Sequence, residues 1–410
     1  MKNIDPIPHS RPTLGAEEAK AAAETILSGQ IAQGAMVGKF EKRFADFLGL
    51  QQAVAVNSGT SALHLALLAL GTRPGDEVIV PDYVCTALLN AVHYTGATPV
   101  IADVGAADGN LDCQAALRLI TPKTRAVIVP HMFGNPCAGI TLFKEREIPV
   151  IEDCAQSVGA ELAGSKVGTL GDLSIFSFYA TKVMTCGEGG MVASNCQELT
   201  NAVADLCDYD NRDDYLPRYN YKMTDFQAAM GLVQLTRLPD FIHRRREIAH
   251  RYNAGLKDLP LRLPGAQPDQ QPIYFRYVVQ LANPETLLNH LRNHKISAAR
   301  PVFKPFQLLT GTNAVTDHGA SPQGLNNHGI SGHRVPQVAA SGTAMRTFAR
   351  EPNRSPQDVV PCDRLPNACS VSLQLWHESL SLPIYPLLQD AEVDRVIAAI
   401  RDYYQKISDT

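Results

Sequence analysis

No stretch of the 410-residue sequence holds an apolar run approaching the roughly 20 residues of a membrane span. The N-terminal MKNIDPIPHSRP carries prolines and charges where a signal peptide would need an apolar stretch. Neither sign of charge dominates: 37 Lys and Arg against 41 Asp and Glu leave a net charge of -4, which gives no electrostatic footprint for nucleic acid or an anionic membrane. The nine cysteines contain no C-x-x-C pair and no regular spacing, which argues for reduced thiols rather than a disulfide framework. Dinucleotide binding is disfavoured because no G-x-G-x-x-G follows the first strand-like run, and there is no G-x-x-x-x-G-K-[ST] phosphate loop. The expectation is a soluble cytoplasmic protein with small-molecule partners, no nucleic acid, no membrane and no metal.

With 45% hydrophobic residues the chain can bury a large core. From about residue 53 to 195, the β-branched runs AVAVNSG, DEVIVP, TPVIADV, RAVIVPHMFG, IPVIEDCAQ, LSIFSFYA and GGMVASN alternate with helix-forming stretches such as SALHLALLALG. Strands apolar on both faces and punctuated by helices predict an α/β fold with a mostly parallel seven-stranded sheet between helices. Ligands in such sheets bind beyond the carboxyl ends of the strands. Residues 222–257 read as helix, and the proline-rich PLRLPGAQPDQQP then leads to IYFRYVVQL, ETLLNHLRNHKI and AEVDRVIAAIRDYYQKI, a smaller α+β unit. The expected division is a large domain over 1–258 and a small one over 259–410, with an irregular Gly-, Asn-, Ser- and Thr-rich insertion at about 308–361. Its His318, His328 and His333 match no standard metal-ligand spacing and read as loop histidines. An insertion this long is either functional or an extension without a role.

Three constellations follow strands in chain order. Gly59, Thr60 and Ser61 sit where a strand gives way to a helix, which makes either an anion cradle on free backbone N–H groups or an ordinary helix cap. Asp153 ends the apolar run VIED, where a carboxylate needs a cation or hydrogen-bond donors, and Gln156 follows three residues on. Lys182 lies between the strand-like SIFSFYA and the loop CGEGG, a surface position for most lysines but also one where a lysine of lowered pKa could attack an aldehyde. Ser177 could add a hydroxyl to the anion cradle. Together these are the requirements of pyridoxal phosphate: donors for its phosphate, an acid for its pyridine nitrogen and an amine for its aldehyde.

The motifs SGQIAQGAMVGKFEKRFADFLG, NSGTSALHLALLALGTRPGDEVIVP, IEDCAQSVGA, FSFYATKVMTCGEGGMV, NYKMTDFQAAMGLVQL, RPVFKPF and LSLPIYPLL occur in this order. In this the sequence resembles the sugar aminotransferases of the DegT/StrS type, within the fold type I superfamily. The resemblance implies that Lys182 forms the Schiff base and moves protons as general base and acid, that Asp153 pairs with the ring nitrogen and that Gln156 contacts the ring 3-hydroxyl. It implies that Gly59, Thr60, Ser61 and Ser177 hold the phosphate, and that Asn220 reaches the phosphate of a neighbouring subunit, hence a homodimer with shared sites. Cys85 stands at the position where relatives often carry an aromatic over the ring, with Tyr83 two residues before, so either could lie against the cofactor. Lys222 replaces a more usual arginine, which keeps the charge without the planar fork. Tyr83, Tyr179, Arg212, Arg218, Tyr274, Arg276 and Lys304 are candidate substrate contacts for a diphosphate or a carboxylate.

The implied reaction moves an amino group from glutamate to a keto sugar, nucleotide-linked, by ping-pong kinetics, with pyridoxamine phosphate serving the second half. An alternative with the same cofactor is a sugar dehydratase, in which a histidine replaces the lysine; another is a non-catalytic regulator that keeps the fold. The presence of both Lys182 and Asp153 favours the transaminase. The insertion is expected to be either a lid over the substrate entrance or an inert extension.

Overall fold

The computed structural model describes residues 5–210, 212–310 and 369–408. Seven strands form the central sheet. In chain order the strands of the molecule are β1 (Gln52–Val56), β2 (Glu77–Pro81), β3 (Thr98–Ala102), β4 (Thr124–Pro130), β5 (Val150–Asp153), β6 (Glu161–Leu162), β7 (Ser165–Lys166), β8 (Leu173–Ser177), β9 (Gly190–Ser194), β10 (Gln270–Gln271), β11 (Tyr277–Gln280) and β12 (Ser379–Leu382). The large sheet has the order β1-β9-β8-β5-β4-β2-β3, and β3-β2-β4-β5-β8 pair in parallel. Strand β9 runs antiparallel to both its neighbours, so the GGMVASN segment returns along the edge of its own predecessor.

Both faces of the sheet are covered, which is why its strands read as continuous apolar runs. On β2, Val78 and Val80 pack with the helices Gly59–Ala69, Ala87–Tyr94 and Gln197–Cys207, while Ile79 between them points into a core shared with Cys113–Leu117 and Thr141–Lys144. On β8 the same alternation sends Ile175 to the first core and Phe176 to one built with the helices Ala35–Leu48 and Asp225–Leu256. The parallel strands end together at one edge of the sheet, and Asp153, Ser177 and the loops after β2, β3 and β4 gather there.

A further core surrounds the antiparallel pair β11–β12 and the helices Pro284–Asn293 and Asp390–Ser408. The long helix Asp225–Leu256 joins the two halves: Ala228, Leu235, Leu238 and Phe241 pack beside the sheet, and Ile248, Ala249, Tyr252 and Leu256 pack here. Ile7, bridged to Ile296, adds the N-terminal end of the described chain to the same core. Most of the expected insertion, residues 311–361 with His318, His328 and His333, lies outside the described residues; Phe306–Thr310 is helical.

Candidate active site

At the start of the helix Gly59–Ala69 the cap is Ser58, extended in backbone, whose Oγ accepts the Ser61 N–H at 3.1 Å. Ser61 turns its own hydroxyl to Asn57 Oδ1 at 2.7 Å. A helix leaves its first amides without intrahelical acceptors, and the cap takes only that of Ser61, so Gly59 and Thr60 present theirs outward. Ser177, at the end of β8, stands against this turn: a Cβ on Gly59 would lie 2.8 Å from Ser177 Cβ, and one on Gly190 would lie 2.4 Å from the Ser58 carbonyl oxygen. The two glycines let strand ends and helix start close on each other, leaving backbone N–H groups and a hydroxyl around one small space. The cap and the cradle were alternatives in the sequence; the fold shows the cap, made by Ser58, and leaves the Gly59 and Thr60 amides beside Ser177.

Next to this cradle, Asp153, Lys182 and Cys85 form one electrostatic group. Asp153 is buried and accepts the Ala155 N–H at 2.9 Å. Burial pushes its carboxyl up, against the opposing pull of Ala155, Lys182 and His131. Burial likewise pushes the Lys182 ammonium down; Cys85 and Asp153 favour its charge, and Arg276 opposes it. The Cys85 thiol is raised by burial and by Asp153, with Lys182 acting the other way. Cys85 is exposed to solvent yet ringed by protein, as befits a group on the floor of an open cleft. The Lys182 Nζ lies 5.4 Å from the centroid of the Phe275 ring, and the Arg276 guanidinium carbon lies 5.0 Å from the same centroid.

Strained backbone borders this group. Phe133 and Tyr274 both adopt left-handed conformations, with φ of 60° and 50°, which cost non-glycine residues energy and are kept where the surroundings enforce them. They are tied together: Ile273 N–H donates to the Gly134 carbonyl at 2.9 Å, and Arg276 N–H donates to the Phe133 carbonyl at 3.2 Å. Gln156 accepts the Phe133 N–H on Oε1 at 3.0 Å. Arg245, buried and brought down to about 9 by burial and then by Arg276, clamps the carbonyls of Tyr274, Phe275 and Ile384. Tyr83, Phe133, Asn135, Tyr274 and Arg276 line a cavity between the sheet's edge and β11. Tyr83 is buried there, edge-on to Phe133, with its hydroxyl directed to the Leu375 carbonyl.

The structure thus brings Gly59, Thr60, Ser61, Cys85, Asp153, Gln156, Ser177 and Lys182 to one edge of the sheet, with Tyr83 and Tyr274 in the adjoining cavity. Tyr179 is 47% exposed and Lys304 is exposed at the surface. Arg212 and Arg218 are engaged with Asp205, Arg218 also with Asp214, and Lys222 binds Asp208 and Asp210, both at 2.9 Å. Asn220 is exposed, and its carbonyl accepts from Asn57 Nδ2 beside the cradle. Sequence reasoning passed over Ser58, Phe133, His131 and Phe275. Only the S-G-T-S spacing could have pointed to the cap, because nothing local marks a residue as left-handed or as a ring beneath a distant lysine.

An amine and a carboxylate held together beside an anion cradle, at the carboxyl edge of a parallel sheet, define the class: a fold type I, pyridoxal-phosphate-dependent enzyme. The residues fit that group, since the Gly59–Ser177 cradle suits a phosphate and the under-neutralised Asp153 suits a protonated ring nitrogen. The DegT/DnrJ/EryC1/StrS aminotransferase family model matches residues 12–322, and the chain belongs to that family. It is 33% identical to the spore coat polysaccharide biosynthesis protein SpsC of Bacillus subtilis (strain 168), across 97% of this chain and 96% of SpsC. It is 39% identical to the GDP-perosamine synthase of Escherichia coli O157:H7, across 74% of this chain and 86% of the relative. Among solved structures it is similar to the aminotransferase TlmJ from Streptoalloteichus hindustanus, with a TM-score of 0.81 and 28% identity over 98% of this chain and all of that one. The chain is an aminotransferase, and its cofactor is pyridoxal phosphate.

Among the described residues no helix is long and apolar enough to cross a membrane.

Proposed function

We propose that this aminotransferase moves an amino group from glutamate to a keto sugar carried on a nucleoside diphosphate. The observation that carries the reading is that the buried Asp153 and the half-buried Lys182 share one edge of the sheet beside the cradle, each favouring the other's charged form against desolvation. The sugar class follows the family and relatives named for perosamine and coat-polysaccharide synthesis.

The bound cofactor supplies an electron sink for the carbon that exchanges its amine. This chain supplies the rest. Asp153 would, ionised, keep a proton on the ring nitrogen and be compensated by it. Gly59 and Thr60 N–H groups with the Ser61 and Ser177 hydroxyls hold the phosphate. Gln156, with Oε1 taken by the Phe133 N–H, would have its amide N–H groups available to the ring oxygen. Cys85, in the same electrostatic group as Lys182 and Asp153, would lie against the cofactor, while Tyr83 walls the adjoining cavity. Lys182, with its ammonium disfavoured by burial, takes and returns the proton at the reacting carbon. Asn220 serves the phosphate of a second copy, which makes the working unit a homodimer. The division at 258/259 is part of the same proposal, the small unit closing over the cavity through Tyr274 and Arg276.

The test is a panel of nucleotide-linked 3- and 4-keto sugars with glutamate as donor. Parallel lines in double-reciprocal plots and stoichiometric 2-oxoglutarate are expected. A wild-type protein that never takes up the cofactor, or that aminates no keto sugar in the panel, sinks the reading.

A further inference from the structure

We propose that His290, His294 and Asp402 form a structural site for a divalent metal ion of the zinc class, which clips the helix Asp390–Ser408 to the helix Pro284–Asn293. Two groups of His, Cys and carboxylate among the described residues have ligand-like spacing, each with its ligand atoms within 4.8 Å of one another: His131, Glu152 and Cys154 in the core, and His290, His294 and Asp402 at the surface. Hydrogen bonding separates them. In the core group His131 Nδ1 accepts the Cys137 N–H, so the proton sits on Nε2. Glu152 spends its oxygens on that ring and on the N–H groups of Gly168, Leu170 and Gly171. The core group is closed by its own hydrogen bonds.

The surface group has the opposite tautomer. His294 Nδ1 donates to the His290 carbonyl at 2.9 Å, which in a neutral ring leaves the lone pair on Nε2. That nitrogen lies 3.8 Å from Asp402 Oδ2, and His290 Nε2 lies 3.3 Å from the same oxygen. A lone pair and a carboxylate oxygen repel each other unless a proton or a cation stands between them. Around a tetrahedral zinc, with bonds of about 2.0–2.2 Å, neighbouring ligand atoms stand about 3.4 Å apart, close to the spacing found. The two histidines are one helical turn apart, their ring centroids 4.4 Å from each other. An Nδ1–H donated to a carbonyl is also the usual outer contact of a metal-bound imidazole. Burial and then His294 hold His290 below the ordinary histidine range, which keeps its ring neutral.

Two contacts yield when the ion binds. His290 Nε2 lies 3.1 Å from the Ala399 carbonyl, and its proton passes to Nδ1. The Lys406 ammonium, 2.7 Å from Asp402 Oδ2, stands where the metal's charge would; an exposed pair of this kind is weak. The side chains of His294 and Asp402 are each 41% exposed, so solvent supplies the remaining coordination position. Imidazoles with one carboxylate favour zinc, copper or nickel over magnesium and calcium, which prefer oxygen ligands alone.

The test is a calorimetric titration of untagged holoenzyme with zinc chloride at neutral pH. One ion per chain is expected, with a Kd on the order of 1–10 μM. About a twentyfold excess over Kd should raise the melting temperature by about 2 °C. His294→Ala and Asp402→Asn should each weaken binding at least about tenfold and remove that shift, with transamination within about twofold of wild type. Lys406→Gln, which takes away the competing ammonium, should tighten binding a few-fold. Zinc held equally by both ligand variants overturns the proposal, because the nine cysteines would then be its holders. Binding only at millimolar zinc, or equal displacement by magnesium, overturns it as well. Should one ligand variant fail to fold, the other and Lys406→Gln decide: unchanged affinity in both overturns the site, and opposite changes support it.

Discussion

Glu152 and Asp153 are neighbours on β5, both buried, and they point to opposite faces of the sheet. Glu152 accepts N–H groups from Gly168, Leu170 and Gly171 at 2.8, 2.6 and 2.6 Å and pairs with His131 Nε2 at 3.0 Å. His131 Nδ1 accepts the Cys137 N–H, so the proton on its ring faces Glu152. Burial works to raise Glu152, but His131 and these amides outweigh it and hold the carboxyl below the usual glutamate range. Asp153 has one recorded backbone donor, and its carboxyl stands above the usual range. The same strand thus carries an acid whose needs the protein meets in full and an acid whose needs it leaves for a ligand. The first fastens the loop 168–171 to the sheet; the second waits at the cleft.

Breaking the second face should have the larger effect on chemistry. Lys182→Ala should cut turnover on the order of 10⁴-fold, the upper range for a lost general acid–base, and abolish the visible absorption of purified protein. Asp153→Asn should lower kcat about 10²- to 10³-fold by removing the preorganised charge at the ring nitrogen. The comparison sharpens in cofactor-free protein. Asp153, with a raised pKa, weighs against folding once ionised, so its contribution is lost as pH rises through the folded value. At neutral pH, Asp153→Asn should therefore melt at or above the wild-type temperature.

Glu152→Gln should behave oppositely, losing about 2–3 kcal/mol of stability as its charged hydrogen bonds weaken, with kcat per folded molecule little changed. Because Glu152 is depressed, its stabilisation is present above the ordinary glutamate pKa and disappears as pH falls through the folded value. The variant's unfolding curve should lack that part of the acid dependence, as read by circular dichroism against pH. If both substitutions damage catalysis equally and stability equally, the division of roles between the faces is wrong. The smallest effect expected is at the cradle: Gly59→Ala places a methyl 2.8 Å from Ser177 Cβ, and cofactor affinity should fall about tenfold, the worth of one displaced hydrogen bond.

How much of this was legible beforehand depended on whether the signal was local. The β-branched runs and Ala/Leu-rich stretches foretold a covered parallel sheet, because strands buried on both faces have nowhere to put polar residues. The reversal of β9 was not foretold, since an apolar strand reads alike in either direction. Gly59, Thr60, Asp153, Ser177 and Lys182 stood out because each sits at a strand end, where backbone geometry alone places ligands. Arg276 looked no better than Arg212 or Arg218 until their partners were known. Asp205 pairs with both Arg212 and Arg218, and Asp214 with Arg218, through contacts that sequence spacing does not order.

The linear order of residues determined the class of fold and the chemical kinds at its carboxyl edge, since periodicity and strand-end position are properties of short segments. Only the folded chain decided which acid on β5 is spent on structure, that the Arg276 guanidinium has no ion pair among the described residues, and that Phe133 and Tyr274 bend backwards to wall one cavity. Those outcomes depend on desolvation and on pairings such as Arg245 with Ile384 and His9 with Arg276, across 139 and 267 positions of sequence. Desolvation acts through everything packed around a group, and no short stretch of sequence contains that surrounding.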